Sequence, residues 1–346
     1  MLTVGIDVHD RLYAVCVLNR DGGVVKETTI RGGVEAVAGW LGGLGQPVQV
    51  CYEASLGYGV LYDALAPMAH RIVVAHPGHT RLIFASKTKN DRIDARKLAM
   101  LLLLNQVRPV HVPKLPVREW RVLIEHRRRL TDKRVAVMNA LRSLLRGQGM
   151  AAPRGKKLWT AAGIQWLGAQ TFRSPLTGLR RDQLLAEFQV HTAAIKAACR
   201  QLDEIARQHP GVALLRTIPG VGPRTAEAIV AYVDQPQRFG STRRASSYFG
   251  LVPRLDETGG CKRYGHITRE GPATVRKLLA EASWQVIRYS PSMRTFYHSV
   301  RQGKKSRTGV ALIAVAHRLL KVMVAMLRSG EVWRKEERQP PAAAAA

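Results

Sequence analysis

Between residues 1 and 75 the apolar positions come in short runs, each closed by residues that favour turns. "LTVGIDVHD" and "LYAVCVLN" are β-rich, "RDGG" after the second supplies a hairpin turn, and "VVKETTIR" is a third strand. "VEAVAGWLGGLG" has helical spacing, "VQVCYEAS" reads as a buried strand, "GVLYDALAPMA" as a helix and "RIVVAHP" as a strand. A further helix follows from about residue 90. A meander of three strands followed by helix, strand, helix, strand and helix predicts an α/β domain over 1–112. Its mixed sheet is flanked by helices and has an antiparallel edge.

Strand signals stop from about 115 to 210. "VREWRVLIEHRRRLTDKRVAVMNALRSLLRG" and "RDQLLAEFQVHTAAIKAACRQLDEIARQH" carry apolar residues at helical spacing. They predict a helical segment at 113–210, either a coiled-coil pair that also dimerises or two helices that simply pack on each other. A mainly helical third part, 211–330, opens with "LLRTIPGVGPRTAEAIVAYV", where two helical segments flank "PGVG" as in a helix-hairpin-helix. Gly220 and Gly222 would let such a turn offer backbone N–H groups to a phosphate, beside Arg224, and Thr225 would cap the second helix. A plain helical turn is the other reading. "RRASSYFGLVPR", a loop "LDETGGCKRYGHITREG" and two more helices follow, and "PPAAAAA" ends a tail, 331–346, expected to be disordered.

Charge changes the picture most. Lys and Arg number 54 against 25 Asp and Glu, a formal excess of +29. Such a balance points to a polyanionic partner, nucleic acid before membrane. The long apolar runs are short or broken by His, Arg and Lys, so no membrane span is expected, and "MLTVGIDVHD" reads as no leader. Four singly scattered cysteines, Cys16, Cys51, Cys199 and Cys261, give neither zinc spacing nor a disulfide framework, which fits the cytoplasm.

Against this basic background four acids stand out. Asp7 ends the first strand, Glu53 ends another buried strand, and Asp91 with Asp94 opens a helix, three residues apart and so on one face. Each alone has an ordinary reading: a turn residue, a surface acid, charges complementing a helix dipole. Together, if the helix crosses the sheet, four carboxylates converge at one edge and take up hard cations, Mg²⁺ being the natural occupant. Two such ions at about 3.5–4 Å clamp the attacking and leaving oxygens of a phosphodiester.

In chain order, "GIDVHD", "CYEAS" and "KTKNDRIDARKLA" resemble the three acidic motifs of DEDD-type insertion-sequence transposases, a family of bridge-RNA-guided DNA recombinases. "TIPGVGPRTAEAIVAYV", "FGLVPR" and "GGCKRYGHITREGPATVRKLLAEASW" resemble that family's C-terminal transposase domain. The likeness runs from about residue 3 to 330. It implies an N-terminal ribonuclease H-type domain, akin to RuvC-like junction resolvases, with Asp7, Glu53, Asp91 and Asp94 as ligands for Mg²⁺, two ions per site. It also implies element ends and target DNA as partners, a structured non-coding guide RNA, and a homodimer or homotetramer. A hydroxyl residue of the C-terminal domain is implied to attack DNA and hold it covalently. Where the family pattern has Ser, this chain has Thr258, whose β-methyl crowds the approach. Ser246, Ser247 or a metal-bound water are the alternatives. Gly259 and Gly260 let the backbone near the phosphate, and Arg254, Lys262, Arg263 and His266 are placed to neutralise it, or form a solvated basic loop. A water-using metal nuclease or junction resolvase, and a non-catalytic nucleic-acid-binding protein, are the rival functions.

Overall fold

A computed structural model describes residues 1–55, 57–78, 90–258 and 260–334. The start of the third acidic motif (residues 87–89), Gly259 and the tail from 335 lie outside the described residues. The chain divides into two compact units, Met1–Leu115 and Pro116–Ala346, so the segments expected at 113–210 and 211–330 fall together in the second.

The first unit is the predicted mixed sheet. Strands β1 (Leu2–Val8), β2 (Leu12–Leu18), β3 (Val24–Arg31), β4 (Val48–Glu53) and β5 (Arg71–Ala75) lie in the order β3-β2-β1-β4-β5. β1 runs antiparallel to β2 and parallel to β4, and β4 is parallel to β5. This is the strand order and mixed direction of a ribonuclease H-like sheet. Helices α1 (Val34–Gly42) and α2 (Tyr58–Leu65) cover one face, where Val4, Ile6, Val15, Val50 and Tyr52 pack with Val37, Leu41, Leu61 and Leu65. Helix α3 (Asp91–Leu103) covers the other: Ala95 and Ala99 meet Ala14, Cys16 and Leu18, while Leu98 and Leu102 meet Cys51, Val73 and Ala75.

Two local features seat α3. Asn90 is its N-cap, the side-chain oxygen accepting from the Arg92 amide at 3.1 Å, and Asp91 and Asp94 occupy the first turn, where acids suit the helix dipole. Gly5 then makes room: a Cβ there would lie 2.0 Å from the Ala95 carbonyl oxygen and 2.5 Å from the Ala99 amide nitrogen. Helix and strand backbones touch at this point, and nothing larger than hydrogen fits between them.

The second unit begins with the long helix α4 (Leu115–Gly147), then a 3₁₀ turn, α5 (Ala161–Gly168) and the equally long α6 (Pro175–Arg207). Val137, Leu141 and Leu145 of α4 share a core with Leu185 and Phe188 of α6. At the other end Trp120, Ile124 and Leu202 enter a larger core with α7 (Pro210–Leu215), α8 (Pro223–Val233), α9 (Thr242–Tyr248), α10 (Ala273–Tyr289), α11 (Pro291–Arg301) and α12 (Thr308–Ser329). Among the described residues only the helix at the chain's end, counted from Lys305, has the length and apolarity to cross a membrane. Its stripe Ala311, Val315, Leu319, Leu320, Met323 and Val324 is instead fully buried in this core.

The stretch expected as a loop after "LVPR" is a hairpin, β6 (Pro253–Thr258) and β7 (Cys261–Ile267), with Thr258 paired to Cys261 across two glycines. A two-glycine link between paired strands is a common hairpin sequence. Every residue of the ribbon except Ile267 is exposed or, at Gly259, outside the described residues.

Candidate active site

The alternation of β1 carries Gly5 and Asp7 to the face on which α3 lies, and that of β4 carries Cys51 and Glu53 to the same face. The parallel register pairs Ile6 with Tyr52, so the next residues, Asp7 and Glu53, end that pairing on adjacent strands while each stays paired on its other side, with Ala14 and Ala75. On the helix, Asp91 stands one turn before Ala95 and Asp94 one turn before Leu98, so the apolar stripe that grips the sheet ends in two acids. The clearance at Gly5 thereby sets how close these acids come to Asp7.

Their contacts are specific. His9 Nε2 lies 3.4 Å from Asp7 Oδ2 and 3.3 Å from Asp91 Oδ2. One ligand atom from each of these three residues falls within 4.8 Å of the others. Asp94 is turned toward Lys97, with Oδ1 at 3.2 Å from Nζ. Of the four acids expected to converge at one edge, Asp7 and Asp91 form with His9 the close group among the described residues, and Asp94 and Glu53 stand outside that group. An imidazole stands between the first and third acids, and an ammonium beside the fourth.

The electrostatics fit a cation. Burial pushes the Asp7 carboxyl above its ordinary value; His9 pulls it down, and Asp91 and Asp94 push it up again. A carboxyl whose neighbours oppose its own charge gains from positive charge beyond what His9 brings. Oxygen donors with one imidazole nitrogen suit a hard or borderline divalent ion. His9 escapes a reading centred on carboxylates, although it stands two residues after Asp7 in "DVHD", the spacing that returns a side chain to the same side of an extended chain.

In the second unit Thr258 sits exposed at the tip of β6. Arg254, Lys262, Arg263 and His266 are exposed along the ribbon, and Lys262 Nζ lies 3.6 Å from Glu257 Oε1. Gly260 holds φ +79°, the left-handed backbone that the turn requires. Of the alternative hydroxyls, Ser246 is fully buried and Ser247 is exposed on α9.

The "PGVG" turn is built differently from expectation. Gly220 has φ +90°, and a Cβ there would meet Gln285 and the Val286 amide at 2.7–2.9 Å, so its bareness serves packing on α10. Gly222 is the N-cap of α8 and no side chain caps that helix, which corrects the capping role expected for Thr225; that threonine is buried. Arg224 is engaged by Asp203, and its Nη1 lies 3.1 Å from Glu227 Oε2. Gly222, Arg224 and Thr225 instead line a cavity of about 290 Å³ with Arg127, Asp132 and Lys277. Burial drives Glu227 up to about 7 against the pull of Arg224 and Arg127.

Comparison with known proteins agrees with both halves. A family model described as transposase, of the DEDD type and the IS110 group, matches residues 4–149, which contain Asp7, Glu53, Asp91 and Asp94. The model of the transposase IS116/IS110/IS902 family matches residues 212–298, which contain the hairpin and Thr258. A putative transposase of Sinorhizobium fredii is 29% identical over 249 residues, covering 70% of this chain and 60% of its own length. A probable family 20 transposase of Pseudomonas aeruginosa is 27% identical over 270 residues, 74% of this chain and 80% of its own. The transposase for insertion sequence element IS1111A of Coxiella burnetii is 24% identical over 336 residues, 96% of this chain and 91% of its own. DEDD transposases use divalent metal, in keeping with the donor set at Asp7. With an acidic sheet edge in one unit, a hydroxyl-tipped ribbon in the other and a family match on each, the chain belongs to the DEDD-type transposases of the IS110 family.

Proposed function

We propose that this protein is a cytoplasmic DNA recombinase that cuts and joins the ends of an insertion sequence, using Mg²⁺ and a covalent protein–DNA intermediate. The observation that carries the reading is the junction of Asp7, His9 and Asp91 where α3 meets the end of β1, with Asp94 and Glu53 flanking it. Asp7 and Asp91 would hold the metal, with Asp94 and Glu53 completing its surroundings once Lys97 and His9 give way. Bound Mg²⁺, two ions per site, would polarise the scissile phosphate and neutralise charge developing on its oxygens.

Thr258 is the nucleophile in this reading. Its Oγ1 forms a bond to phosphorus as the bond from phosphorus to a deoxyribose oxygen breaks, and the hydroxyl proton passes to base or solvent. Exposure at a ribbon tip, with Arg254 and Arg263 on the same hairpin, supports this role. The family supplies DNA as partner. A structured non-coding RNA that selects the DNA, and a dimer or tetramer joined through the long helices α4 and α6 as a coiled coil, complete the proposal.

The test is to incubate the protein with element-end duplex and Mg²⁺, denature it, and look for a protein–DNA adduct. Wild type should form one, while Thr258→Val and Asp7→Asn should not. Cleavage without any adduct would favour the water-using nuclease, and unchanged behaviour of Asp7→Asn and Asp94→Asn would favour a non-catalytic binding protein. Sequencing RNA that copurifies with the protein tests guidance separately: a discrete transcript from the element's flank is expected.

A further inference from the structure

Between Glu281 and Glu331 the chain contains no acid. The intervening stretch holds Arg288, Arg294, Arg301, Lys304, Lys305, Arg307, Arg318, Lys321 and Arg328. It forms the C-terminal half of α10, all of α11 and α12, and the turn between them. Some cations of this unit are matched with acids: Arg128 with Glu125 and Asp132, Arg224 with Asp203 and Glu227, Lys277 with Asp132. None of the nine has a carboxylate partner among the described residues. Those that are engaged use neutral groups: Arg294 donates to the carbonyl of Ile287 at 3.1 Å, Arg328 to that of Pro236 at 3.1 Å, Arg307 to the Gln302 side chain, and Arg318 lies over the Phe296 ring. Such contacts fix the guanidinium groups and leave their charge uncancelled.

The charge concentrates at one place. Arg301, Lys304, Lys305 and Arg307 fall on the turn from α11 into α12, where left-handed Gln302 and Gly303 reverse the chain and Lys304 and Lys305 are exposed. Farther along α12 a second group of cations meets. Burial lowers His317 below its usual value, and Lys321 with Arg243 lowers it further. Four like charges within seven residues repel one another and cost stability unless an anion joins them. The core beneath this surface is apolar and holds no acid that could cancel the charge above it, apart from what those neutral contacts do for the fold.

We propose that the acid-free stretch 282–330, centred on Lys304, Lys305 and Arg307, is a surface that binds the phosphate backbone of duplex DNA. It rests on the preceding reading in one respect: DNA is the polyanion that a transposase supplies. A duplex presents about one negative charge per 1.7 Å of its axis, and each phosphate neutralised releases counterion, so binding here is strongly salt-dependent. The contacts are to backbone, carry no sequence preference and do not require the metal site.

The experiment measures affinity of the full-length protein for a duplex in EDTA, from about 50 to 300 mM salt, by fluorescence anisotropy. Lys304→Ala/Lys305→Ala/Arg307→Ala should bind about a hundredfold more weakly near 0.1 M salt, with the log–log salt slope reduced by about 2 to 3. Lys304→Arg/Lys305→Arg/Arg307→Lys, which keeps the charge and changes the shape, should restore most of the affinity. The adduct assay is run separately on the same alanine variant and on wild type, so failure of the metal-site reading shows there and not in this titration. Should the alanine variant lose its fold by circular dichroism, Lys305→Glu alone takes its place, with the slope expected to fall by about 1 to 2. An unchanged slope in the folded variant overturns the proposal, as does a loss confined to structured RNA with duplex binding intact.

Discussion

Gly5→Ala adds one methyl group and should disable the acidic site from beneath. The new Cβ would stand 2.0 Å from the Ala95 carbonyl oxygen and 2.5 Å from the Ala99 amide, where ordinary contact begins at 3.4 Å. Both neighbours are backbone, so no rotamer change relieves them. Helix and strand must part by about 1.4 Å, the shortfall from ordinary contact, in an interior packed too densely to absorb it. Overpacking of a tight core costs about 1–3 kcal/mol, and the upper end applies where backbone opposes backbone. For a unit of this size that shifts the melting temperature by about 10 °C or more. The displaced helix carries Asp91 with it, stretching the 3.3 Å contact to His9 beyond ion-pair range and opening the metal site. Scanning calorimetry of the whole chain reads the first effect and a Mn²⁺ titration the second. Gly39→Ala is the control: a methyl there meets open space within a helix, so it should be neutral or stabilising by about 0.5–1 kcal/mol. If Gly5→Ala melts with wild type and binds Mn²⁺ as tightly, α3 is not seated by that glycine and the site geometry derived from it is wrong.

Asp7→Asn should abolish adduct formation yet melt no lower than wild type at pH 7.5, because its raised carboxyl favours folding only at low pH and opposes it once ionised. Saturating Mg²⁺ at a hundred times its Kd should stabilise wild type by about 2.7 kcal/mol and the variant by much less, read as a shift in thermal melting. Glu227, driven up to about 7, binds its proton more tightly folded than unfolded, so its contribution is present below pH 4.5 and lost as pH rises to 7. Across that window stability should fall by up to about 3 kcal/mol in wild type, and Glu227→Gln should flatten the dependence in urea titrations. Thr258→Ser removes the crowding methyl and keeps the hydroxyl, so adduct should form at least as fast as in wild type; a complete loss would count against Thr258 as nucleophile.

The order of strands and helices in the first unit is readable because each apolar run carries its own period and ends on turn residues. The seat of α3 is half readable. "NDRID" shows a cap and two acids in the first turn, but that Gly5 faces Ala95 depends on a contact ninety residues long. His9 follows from Asp7 by simple alternation, yet one imidazole among 11 in the chain carries no signal of its own until the fold brings Asp91 beside it. The hairpin around Thr258 is masked by the charges of "LDETGGCKRYGHI"; strands usually announce themselves by apolar alternation, and this ribbon has no core to face. The "PGVG" turn is ambiguous for a similar reason. A glycine needed by a phosphate and a glycine needed by a neighbouring helix look alike in sequence, and the second need is the one that the contacts of Gly220 display.

The ribbon β6–β7 is anchored at one end only. At its base Arg276 donates to the carbonyls of Phe249 at 3.3 Å and Gly271 at 3.1 Å, and the Thr268 amide to that of Val252 at 2.9 Å. Beyond that clasp six residues of extended chain project for about 20 Å with no packing of their own. The tip hydroxyl is thus the end of a cantilever, aimed by its mounting and not by its surroundings. Trimming one residue from each strand would retract it by about 3 Å and turn its side chain to the opposite face, while two would retract it by about 7 Å and restore the facing. Reach and handedness of attack are therefore separable by strand length alone, with the helical body left untouched.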